Sequence, residues 1–510
     1  MKRIFPYLLV FAVSVFCVAG GSSEPLTAPR LTNNPSWDII ATNRRPLLSI
    51  LNASGGSGKR TYIYQVDKVP TFDSDSLIEY RNIPETNRDI TEKRVEEKDA
   101  LADKTRYYWR AQAVDSTGGK GPWGQTRFYL DTTSDDSFMN LVRVPVRKVE
   151  VSSGENPKNI VDIDDPGQVT CWRSTPPGDP TPWVKFDLGR TTEVSRIWML
   201  SNISGGKDGW LRDFVWQMSS DGRSWKDIEG THIEKNDTFR NIIDIEPVSC
   251  RYLRLLIKRW YGYAPQINVF IPYSPGKPPV PEPPEKDYVL VIGNQMNGFT
   301  FTELAKFVEG LDLGLETLTV PHYEVSMDML KKLKREPVAI ICSGDNAGQQ
   351  NLPMFEYNGE FEIIRETDIP LLGICFGHQA TCIAHGYTFV RSMGWSDITS
   401  LDLEEDIKMN PITILKEYED RPIFKGIPNP FTAVEVHGWA VSPVSLPEEY
   451  VITAKSRYVQ TLKSKSRMLY GEQFHAEVKV DYNQGTPYLV NFLTLAVEKV
   501  RGKEEKTLKP

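Results

Sequence analysis

The sequence has no block in which lysine and arginine are interleaved with aromatic residues, and the formal net charge of the 510-residue chain is only −7. A nucleic-acid-binding surface needs clustered positive charge, so this pattern excludes nucleic acid as a partner. Long apolar runs are equally scarce. One such run occupies residues 4–18, and no other stretch is apolar enough to cross a membrane.

The N-terminus predicts a secretory signal. Positive charge precedes the apolar run and small residues follow it, which is the order of the three regions of a signal peptide. We therefore expect residues 1–21 to be removed, leaving no transmembrane segment, and the protein to be secreted, periplasmic or at the cell surface. The alternatives are a membrane anchor, for which the run is short, and a lipoprotein attached through Cys17, which follows the bulky Phe16.

Cysteine is scarce, with six residues in the chain. Since Cys17 lies within the predicted signal, an odd number remains, and at least one thiol must be free of disulfide. That suits a nucleophile better than a disulfide framework. The cysteines of the mature chain are Cys171, Cys250, Cys342, Cys375 and Cys382.

Proline divides the chain. A proline-rich segment predicts a stiff, extended linker over residues 274–286, and a softer boundary lies at residues 131–136. We therefore predict a multidomain protein whose parts all have ordinary domain sizes. These parts are a β-sandwich over residues 24–133, a β-sandwich jelly roll over residues 136–273, and an α/β domain with a parallel sheet over residues 287–500.

The first of these segments is rich in strand-forming residues. Residues 105–114 are mostly aromatic or β-branched, and a turn-forming cluster follows at residues 115–119. With Leu101 and Trp123, this pattern resembles a fibronectin type III sandwich. The resemblance implies a spacer or adhesion module, and the segment has no grouping of residues suited to catalysis.

The second segment resembles the discoidin, or coagulation-factor type C, jelly roll. Alternating strands are predicted at residues 183–189, 194–200 and 251–257, and residues 219–225 hold a tight Asp-Gly turn. The resemblance implies that loops at one end of the sandwich bind a cell-surface or extracellular polysaccharide, beside a structural calcium ion.

The same resemblance assigns residues to these roles. Asp162, Asp164 and Thr170 would supply calcium ligands, because calcium prefers oxygen, although Gln266 stands where the family often has an acidic residue. Aromatic residues near predicted loops would stack on a sugar or belong to the core. They are Trp210, Trp260, Tyr261 and Tyr263.

The third segment alternates buried strands with helices, as in an α/β domain. Its most informative stretch places Cys375 between Gly373 and Gly377, after an apolar strand and before a helix-compatible segment. This is the cysteine form of a nucleophile elbow. The N-terminus of the helix favours the thiolate, and the backbone N–H of Phe376 would meet an oxyanion.

A base for this thiol lies further along the chain. His475 and Glu477 are two residues apart, so in an extended strand they project from the same side. His475 would take and return the proton, and Glu477 would fix the tautomer of its ring.

The two motifs, in this order, resemble class I glutamine amidotransferases, which read G-x-C-x-G-x-Q at the elbow and G-x-Q-F-H-P-E at the histidine strand. The resemblance implies a Cys-His-Glu triad that needs no catalytic cofactor. It also implies oxyanion donors at Phe376 and Asp345 and substrate contacts from Gln379 and His437, with a structural role as the alternative for His437. Cys342 and Cys382 are expected to be inert core residues.

Two positions depart from the family pattern. Asp345 lies in Ser-Gly-Asp-Asn-Ala, where the family has Ser-Gly-Gly-Pro, and Ala476 replaces the family proline. The backbone N–H of Asp345 still serves as a donor, but its carboxylate opposes an oxyanion unless it is turned away. The substrate therefore need not be free glutamine.

Three functions fit these features. The first is a secreted or surface-associated amidotransferase-like enzyme that hydrolyses a glutamine or γ-glutamyl amide through a cysteine thioester, targeted by a carbohydrate-binding module. The second is a γ-glutamyl hydrolase, since the sequence contains no synthetase domain to receive ammonia. The third is a catalytically silent surface glycan-binding protein. An intact triad favours the first two, whereas Asp345 and the secretion signal favour the third.

Overall fold

The computed structural model describes residues 24–31, 39–41, 44–86, 90–103, 105–130, 140–161, 171–175, 179–202, 207–298, 300, 302–345, 353–385, 390–391, 411–441, 446–456 and 458–507. The predicted signal and the candidate calcium ligands Asp162, Asp164 and Thr170 lie outside these residues. None of the helices in the described ranges is both long enough and apolar enough to span a bilayer.

The N-terminal unit, residues 24–130, consists of two sheets around one core. Their strand orders are β1-β3-β6 and β2-β8-β7-β4-β5, and residues of both sheets share a hydrophobic cluster. Within it the rings of Tyr64 and Trp109 stack at 6.3 Å. The strands are β1 (Arg30–Leu31), β2 (Ile39–Ala41), β3 (Leu47–Leu51), β4 (Thr61–Asp67), β5 (Ile78–Pro84), β6 (Ile90–Arg94), β7 (Thr105–Val114) and β8 (Lys120–Leu130).

The central unit, residues 140–276, is an antiparallel β structure with the strand path β11-β16-β12-β15-β13-β14, to which β10 and β9 add through β12 and β16. Its core is aromatic, with Phe270 stacked on Phe186 at 3.9 Å and on Trp216 at 5.0 Å. The strands are β9 (Leu141–Arg143), β10 (Lys148–Val151), β11 (Trp172–Arg173), β12 (Trp183–Ser201), β13 (Leu211–Ser219), β14 (Lys226–Asp227), β15 (Arg240–Trp260) and β16 (Gln266–Pro275).

One detail of the central unit corrects the sequence prediction. The two strands expected at residues 183–189 and 194–200 are one continuous strand, β12. Its pairing with β15 shifts register between Asp187 and Thr192. Such an irregularity bends a strand without ending it, so the chain bends near Gly189, whose φ is positive, and continues as the same strand.

The C-terminal unit, residues 288–507, is an α/β domain. Its sheet runs β18-β17-β19-β20-β26-β25-β24-β22, parallel from β18 to β26 and antiparallel beyond. Helices α1 and α5 pack on one face, and α2, α3 and α4 on the other. The strands are β17 (Tyr288–Gly293), β18 (Glu316–Pro321), β19 (Ala339–Cys342), β20 (Leu371–Ile374), β21 (Val390–Arg391), β22 (Thr413–Ile414), β23 (Trp439–Ala440), β24 (Tyr450–Lys455), β25 (Val459–Ser464) and β26 (Leu469–Glu472), and the helices are α1 (Thr302–Glu309), α2 (Met327–Lys332), α3 (Asn358–Glu366), α4 (Phe376–Ile383) and α5 (Thr486–Thr507).

The proline-rich segment connects the last two units and is anchored to the second of them. Residues 277–287 contain no helix or strand. Glu282 pairs with Lys334 at 2.6 Å, and the guanidinium of Arg335 donates to the carbonyls of Glu285 and Lys286. The central and C-terminal units also share one hydrophobic cluster, which includes Trp198 and Tyr273 from the former and Phe355 from the latter.

Candidate active site

Cys375 occupies the turn between β20 and α4. Its φ is 52° and its ψ is −102°, a sparsely populated conformation for a residue with a side chain, which costs about 1–3 kcal/mol. The flanking glycines are required by close contacts. A Cβ on Gly373 would lie 2.4 Å from the carbonyl oxygen of Gly377, and one on Gly377 would lie 2.2 Å from that of Cys342. This is the sharp turn that the glycine spacing predicts.

The sheet brings the elbow and the histidine strand together. Strands β20 and β26 are parallel neighbours, with Ile374 paired to Glu472. The next N–H, that of Cys375, donates to the carbonyl oxygen of Glu472 at 2.8 Å. His475 follows three residues after Glu472 along the chain. A backbone hydrogen bond therefore sets the position of the nucleophile relative to the segment that carries the base.

His475 and Glu477 form a buried pair, with Nδ1 of the ring 2.7 Å from Oε1 of the carboxylate. The backbone N–H of His475 donates to Val434 at 2.8 Å, and its carbonyl accepts from Asn483 at 2.8 Å. Burial lowers the pKa of His475, but the charges of Glu477 and Cys375 and hydrogen bonds with both outweigh burial and raise the pKa well above its ordinary value. The ring therefore holds its proton beside the thiol.

One of the two predicted oxyanion donors has a clear setting. Phe376 is the first residue of α4, where backbone N–H groups have no partner within the helix, while the next N–H, of Gly377, donates to Ser343 at 3.2 Å. Asp345 is half-buried at the end of the described segment 302–345. Burial and, next, the charge of Asp345 raise the pKa of Tyr357 well above its ordinary value. The donor role of Asp345 stays a prediction.

Gln379 and His437, the predicted substrate contacts, are both buried and bound to protein groups. The amide nitrogen of Gln379 donates to the carbonyl of Trp439 at 2.7 Å. The ring of His437 contacts the same carbonyl at 2.9 Å and the carboxylate of Glu435 at 3.0 Å. Val436 lies between Glu435 and His437 in the chain, and its carbonyl oxygen is 3.7 Å from Sγ of Cys375. Both side chains thus fix a wall of the site, and their contact with substrate stays a prediction.

In the central unit, the structure separates the four aromatic candidates. Trp210 is only 1% exposed. Its indole N–H donates to the carbonyl of Asn202 at 2.9 Å, and its ring packs on Phe239 at 5.6 Å. Trp210 is therefore a core residue, and its prediction as a glycan contact was wrong. Tyr263, in contrast, is 69% exposed, and the half-buried Trp260, which ends β15, and Tyr261 precede it.

Gln266, the residue that departs from the discoidin pattern, is buried next to a cation. With its amide oriented to satisfy both the oxygen and the nitrogen, it accepts hydrogen bonds from the guanidinium of Arg173 at 2.6 and 3.1 Å. The amide oxygen is thus already engaged. Since Asp162, Asp164 and Thr170 lie outside the described residues, the calcium site stays a prediction.

The comparisons with known proteins identify the C-terminal unit. Residues 308–495 match the family model described as glutamine amidotransferase class-I. Over 192 residues, 37% of this chain and 84% of the relative, the sequence is 31% identical to anthranilate synthase component 2 of Methanocaldococcus jannaschii. The chain belongs to the class I glutamine amidotransferase family. It is also 29% identical to aminodeoxychorismate synthase component 2 of Escherichia coli, over 40% of this chain and 98% of the relative.

The amidotransferase domain is joined to a second identifiable domain. Residues 146–269, in the central unit, match the model of the F5/8 type C domain, the discoidin family. Part of the chain is also similar to the family 32 CBM from Clostridium perfringens NanJ, solved in complex with galactose, at 16% identity and a TM-score of 0.23, over 26% of this chain and 99% of that one. The protein is therefore a multidomain member of its family.

Three buried acids of the amidotransferase domain, Glu356, Glu360 and Glu472, were missed by sequence reasoning. Glu472 is fully buried, and burial followed by the charge of Glu477 raises its pKa well above the ordinary value. Glu360 accepts from Asn294 at 3.0 Å, and burial raises its pKa to about 7. The available signal for Glu472 was its place as the one charged residue in the run from Met468 to Phe474. Cys342 and Cys382 are buried, as predicted for core residues, and burial raises the pKa of Cys382 to about 12; their inertness stays a prediction.

Proposed function

We propose that this protein is a secreted or surface-associated enzyme of the amidotransferase type that hydrolyses a glutamine or γ-glutamyl amide. The observation that carries the proposal is the 2.7 Å contact between His475 and Glu477, beside a cysteine held at a glycine-framed elbow. A nucleophile, a base and a group that orients the base are the parts that covalent amide hydrolysis needs.

The chemistry divides into two halves. The thiolate of Cys375 attacks the amide carbon, and the carbonyl oxygen becomes an anion that the N–H of Phe376 stabilises. When this tetrahedral intermediate collapses, His475 gives its proton to the leaving nitrogen, the C–N bond breaks, and a thioester remains. In the second half His475 removes a proton from water, the resulting hydroxide attacks the thioester, and the acid leaves as the C–S bond breaks.

The electrostatics of the pair support this assignment of roles. Because the neighbouring charges raise the pKa of His475, the imidazolium is available as the acid that the leaving nitrogen requires. Glu477 keeps the proton on Nδ1 directed towards itself, so that Nε2 is the nitrogen left for proton exchange with the thiol.

The other two domains support a location for this chemistry at a glycan surface. In the F5/8 type C domain, the segment of Trp260, Tyr261 and Tyr263 offers aromatic rings, one of them largely exposed, at the end where a sugar face would stack. The two-sheet N-terminal unit fits the fibronectin type III-like spacer. Together with the predicted signal, these features support action on an extracellular polysaccharide-bearing surface.

A substrate panel tests the proposal. The full chain is incubated with glutamine and with γ-glutamyl amides of increasing size, and release of ammonia, amine and glutamate is measured. We expect release from at least one substrate in the wild type and in Cys171→Ser, whose thiol lies in the central unit, and none in Cys375→Ser. Release from γ-glutamyl amides alone would identify a γ-glutamyl hydrolase. Silence on the whole panel would overturn the enzyme and leave a glycan-binding protein.

A further inference from the structure

A buried ion pair joins the central unit to the amidotransferase domain. The guanidinium of Arg143, in β9, donates to both carboxylate oxygens of Glu356, at 2.6 and 2.5 Å, and to the carbonyl of Met296 at 2.9 Å. The hydroxyl of Tyr273, in β16, donates to the same carboxylate at 2.7 Å. Two residues of the central unit therefore hold one carboxylate of the neighbouring domain.

The charge of this carboxylate depends on the contact. Glu356 is fully buried, and a buried carboxylate stays charged only when it is paired and hydrogen-bonded. Burial raises its pKa, but the charge and hydrogen bonds of Arg143, with the hydrogen bond of His322, lower the pKa to about 2. The arrangement is bidentate, which fixes direction as well as distance.

Glu356 lies next to the residues that build the oxyanion side of the site. It belongs to the 3₁₀ helix Met354–Tyr357. The ring of Tyr357 stacks on His322 at 4.0 Å and packs against Phe376 at 5.0 Å, and its hydroxyl donates to the carbonyl of Asn294 at 2.9 Å. Phe376 follows the nucleophile and carries the N–H assigned to the oxyanion. A displacement of this short helix therefore reaches the oxyanion donor through one ring contact.

We propose that Arg143 is a positioning residue of the amidotransferase site, acting through Glu356 and Tyr357 on Phe376. The central unit, which contains the F5/8 type C domain, is then a working part of the catalytic unit as well as a targeting module. The oxyanion role of Phe376 rests on the proposed function, whereas the mechanical link from Arg143 to Phe376 does not.

The test compares Arg143→Ala, Arg143→Lys and a matched control. Arg467 serves as the control, because its guanidinium is also mostly buried, 17% exposed against 12% for Arg143, and donates to the carbonyls of Ile364 and Thr367 at 3.0 Å. We expect Arg143→Ala to lower kcat roughly ten- to hundredfold with KM changed less than about twofold, and Arg467→Ala to leave kcat within about threefold of wild type. Arg143→Lys, which keeps the charge and loses the bidentate geometry, should lie between.

Two further measurements keep the proposal falsifiable. The alkylation rate of Cys375 should be unchanged in Arg143→Ala, because the nucleophile and His475 are untouched. Hydrogen exchange, followed by mass spectrometry, should be faster in peptides covering residues 353–357 and 371–383 in Arg143→Ala but not in Arg467→Ala. This readout needs no substrate, so it decides the link even if the panel finds no turnover. Unchanged exchange in these peptides, or a kcat loss equal in both alanine variants, would overturn the proposal.

A double variant without either charge tests whether a loss of kcat results only from unfolding. Replacing Arg143→Met together with Glu356→Met removes both charges and keeps the volume apolar, a change that buried ion pairs often tolerate. We expect this variant to fold and still to show the lowered kcat. Wild-type kcat in it would mean that any packed interface suffices, and the assignment to Arg143 would be withdrawn.

Discussion

Nδ1 of His475 lies 2.7 Å from Oε1 of Glu477, while the second oxygen of the same carboxylate has no hydrogen-bond partner among the described residues. One short hydrogen bond with Glu477 thus orients the ring, and the charge of the carboxylate also acts on it. Glu477→Gln removes the charge and keeps the shape of the side chain, so this substitution separates the two contributions.

We expect Glu477→Gln to lower kcat and to move the alkaline limit of activity to lower pH. Burial lowers the pKa of His475 and the charge of Glu477 raises it, so without that charge the pKa falls. His475 then loses at lower pH the proton that the leaving nitrogen needs. The loss in kcat should be on the order of 10²–10⁴, smaller than in Cys375→Ser. A kcat profile from pH 6 to 10 measures both effects, and an unmoved alkaline limb would contradict the assigned role.

Cys375 should be the most reactive thiol of the chain. Burial raises the pKa of Cys171, raises that of Cys250 to about 11 and that of Cys382 to about 12, and raises that of Cys342 well above the ordinary value. These thiols therefore carry little thiolate at neutral pH. Brief treatment with iodoacetamide and peptide mapping should find the label on Cys375. Earlier labelling of any other cysteine would count against the elbow as the reactive site.

Asp345 is expected to limit the rate. If its carboxylate faces the oxyanion, Asp345→Gly should raise kcat by about two to three decades, because one misplaced charge near a developing anion costs a few kcal/mol. Asp345→Asn separates charge from size, since it removes only the charge. An increase in both variants identifies electrostatic opposition, and an increase in Gly alone identifies backbone freedom. No increase in either would show that the carboxylate is turned away from the site.

Stability should depend on pH through Glu360. Burial raises its pKa from 4.5 to about 7, so the folded domain binds a proton that the unfolded chain releases. The raised pKa of Glu360 stabilises the folded domain fully below about pH 4.5. This stabilisation is lost as the pH rises to about 7, and the free energy of unfolding then falls by about 3 kcal/mol in all. Glu360→Gln removes this dependence. Urea unfolding of the wild type and of Glu360→Gln at several values between pH 5 and 8 gives two plots of the free energy of unfolding against pH. These plots should diverge, and parallel plots would refute the assignment.

Glycan binding by the F5/8 type C domain should depend on Tyr263. On a glycan array, Tyr263→Ala of the full chain is expected to lose binding that the wild type shows. Tyr252→Ala is the matched control, because Ser219, which ends β13, pairs with Tyr252, while Leu211, which begins it, pairs with Trp260. The two sites therefore lie at opposite ends of the sheet. Silence of the wild type, with or without calcium, or equal loss in both variants would contradict the site.

Much of the amidotransferase site is local in sequence, and this part was predictable. Gly373 and Gly377 predict the elbow, because no residue with a side chain fits at either position. The two-residue spacing of His475 and Glu477 places them on one side of an extended segment. Only the contact between the two motifs depends on the sheet, and the short apolar runs in the sequence already predict that this sheet is parallel.

The remaining features depend on contacts between distant segments. Trp210 stands beside a loop, as a sugar-binding residue would, and only the packing of Phe239 and the carbonyl of Asn202 make it a core residue. Arg143 and Glu356 come from different domains, and neither has a local pattern that marks it as half of a buried pair. Sequence reasoning assigns such residues to the surface by default.

The backbone of Cys375 has a consequence for how the chain can change over time. A positive φ of 52° strains a residue with a side chain, whereas glycine adopts positive φ freely, so replacing this cysteine by glycine would relieve the backbone strain while removing the thiol. Once the reaction no longer needs the thiol, the backbone of this turn favours glycine over cysteine at position 375.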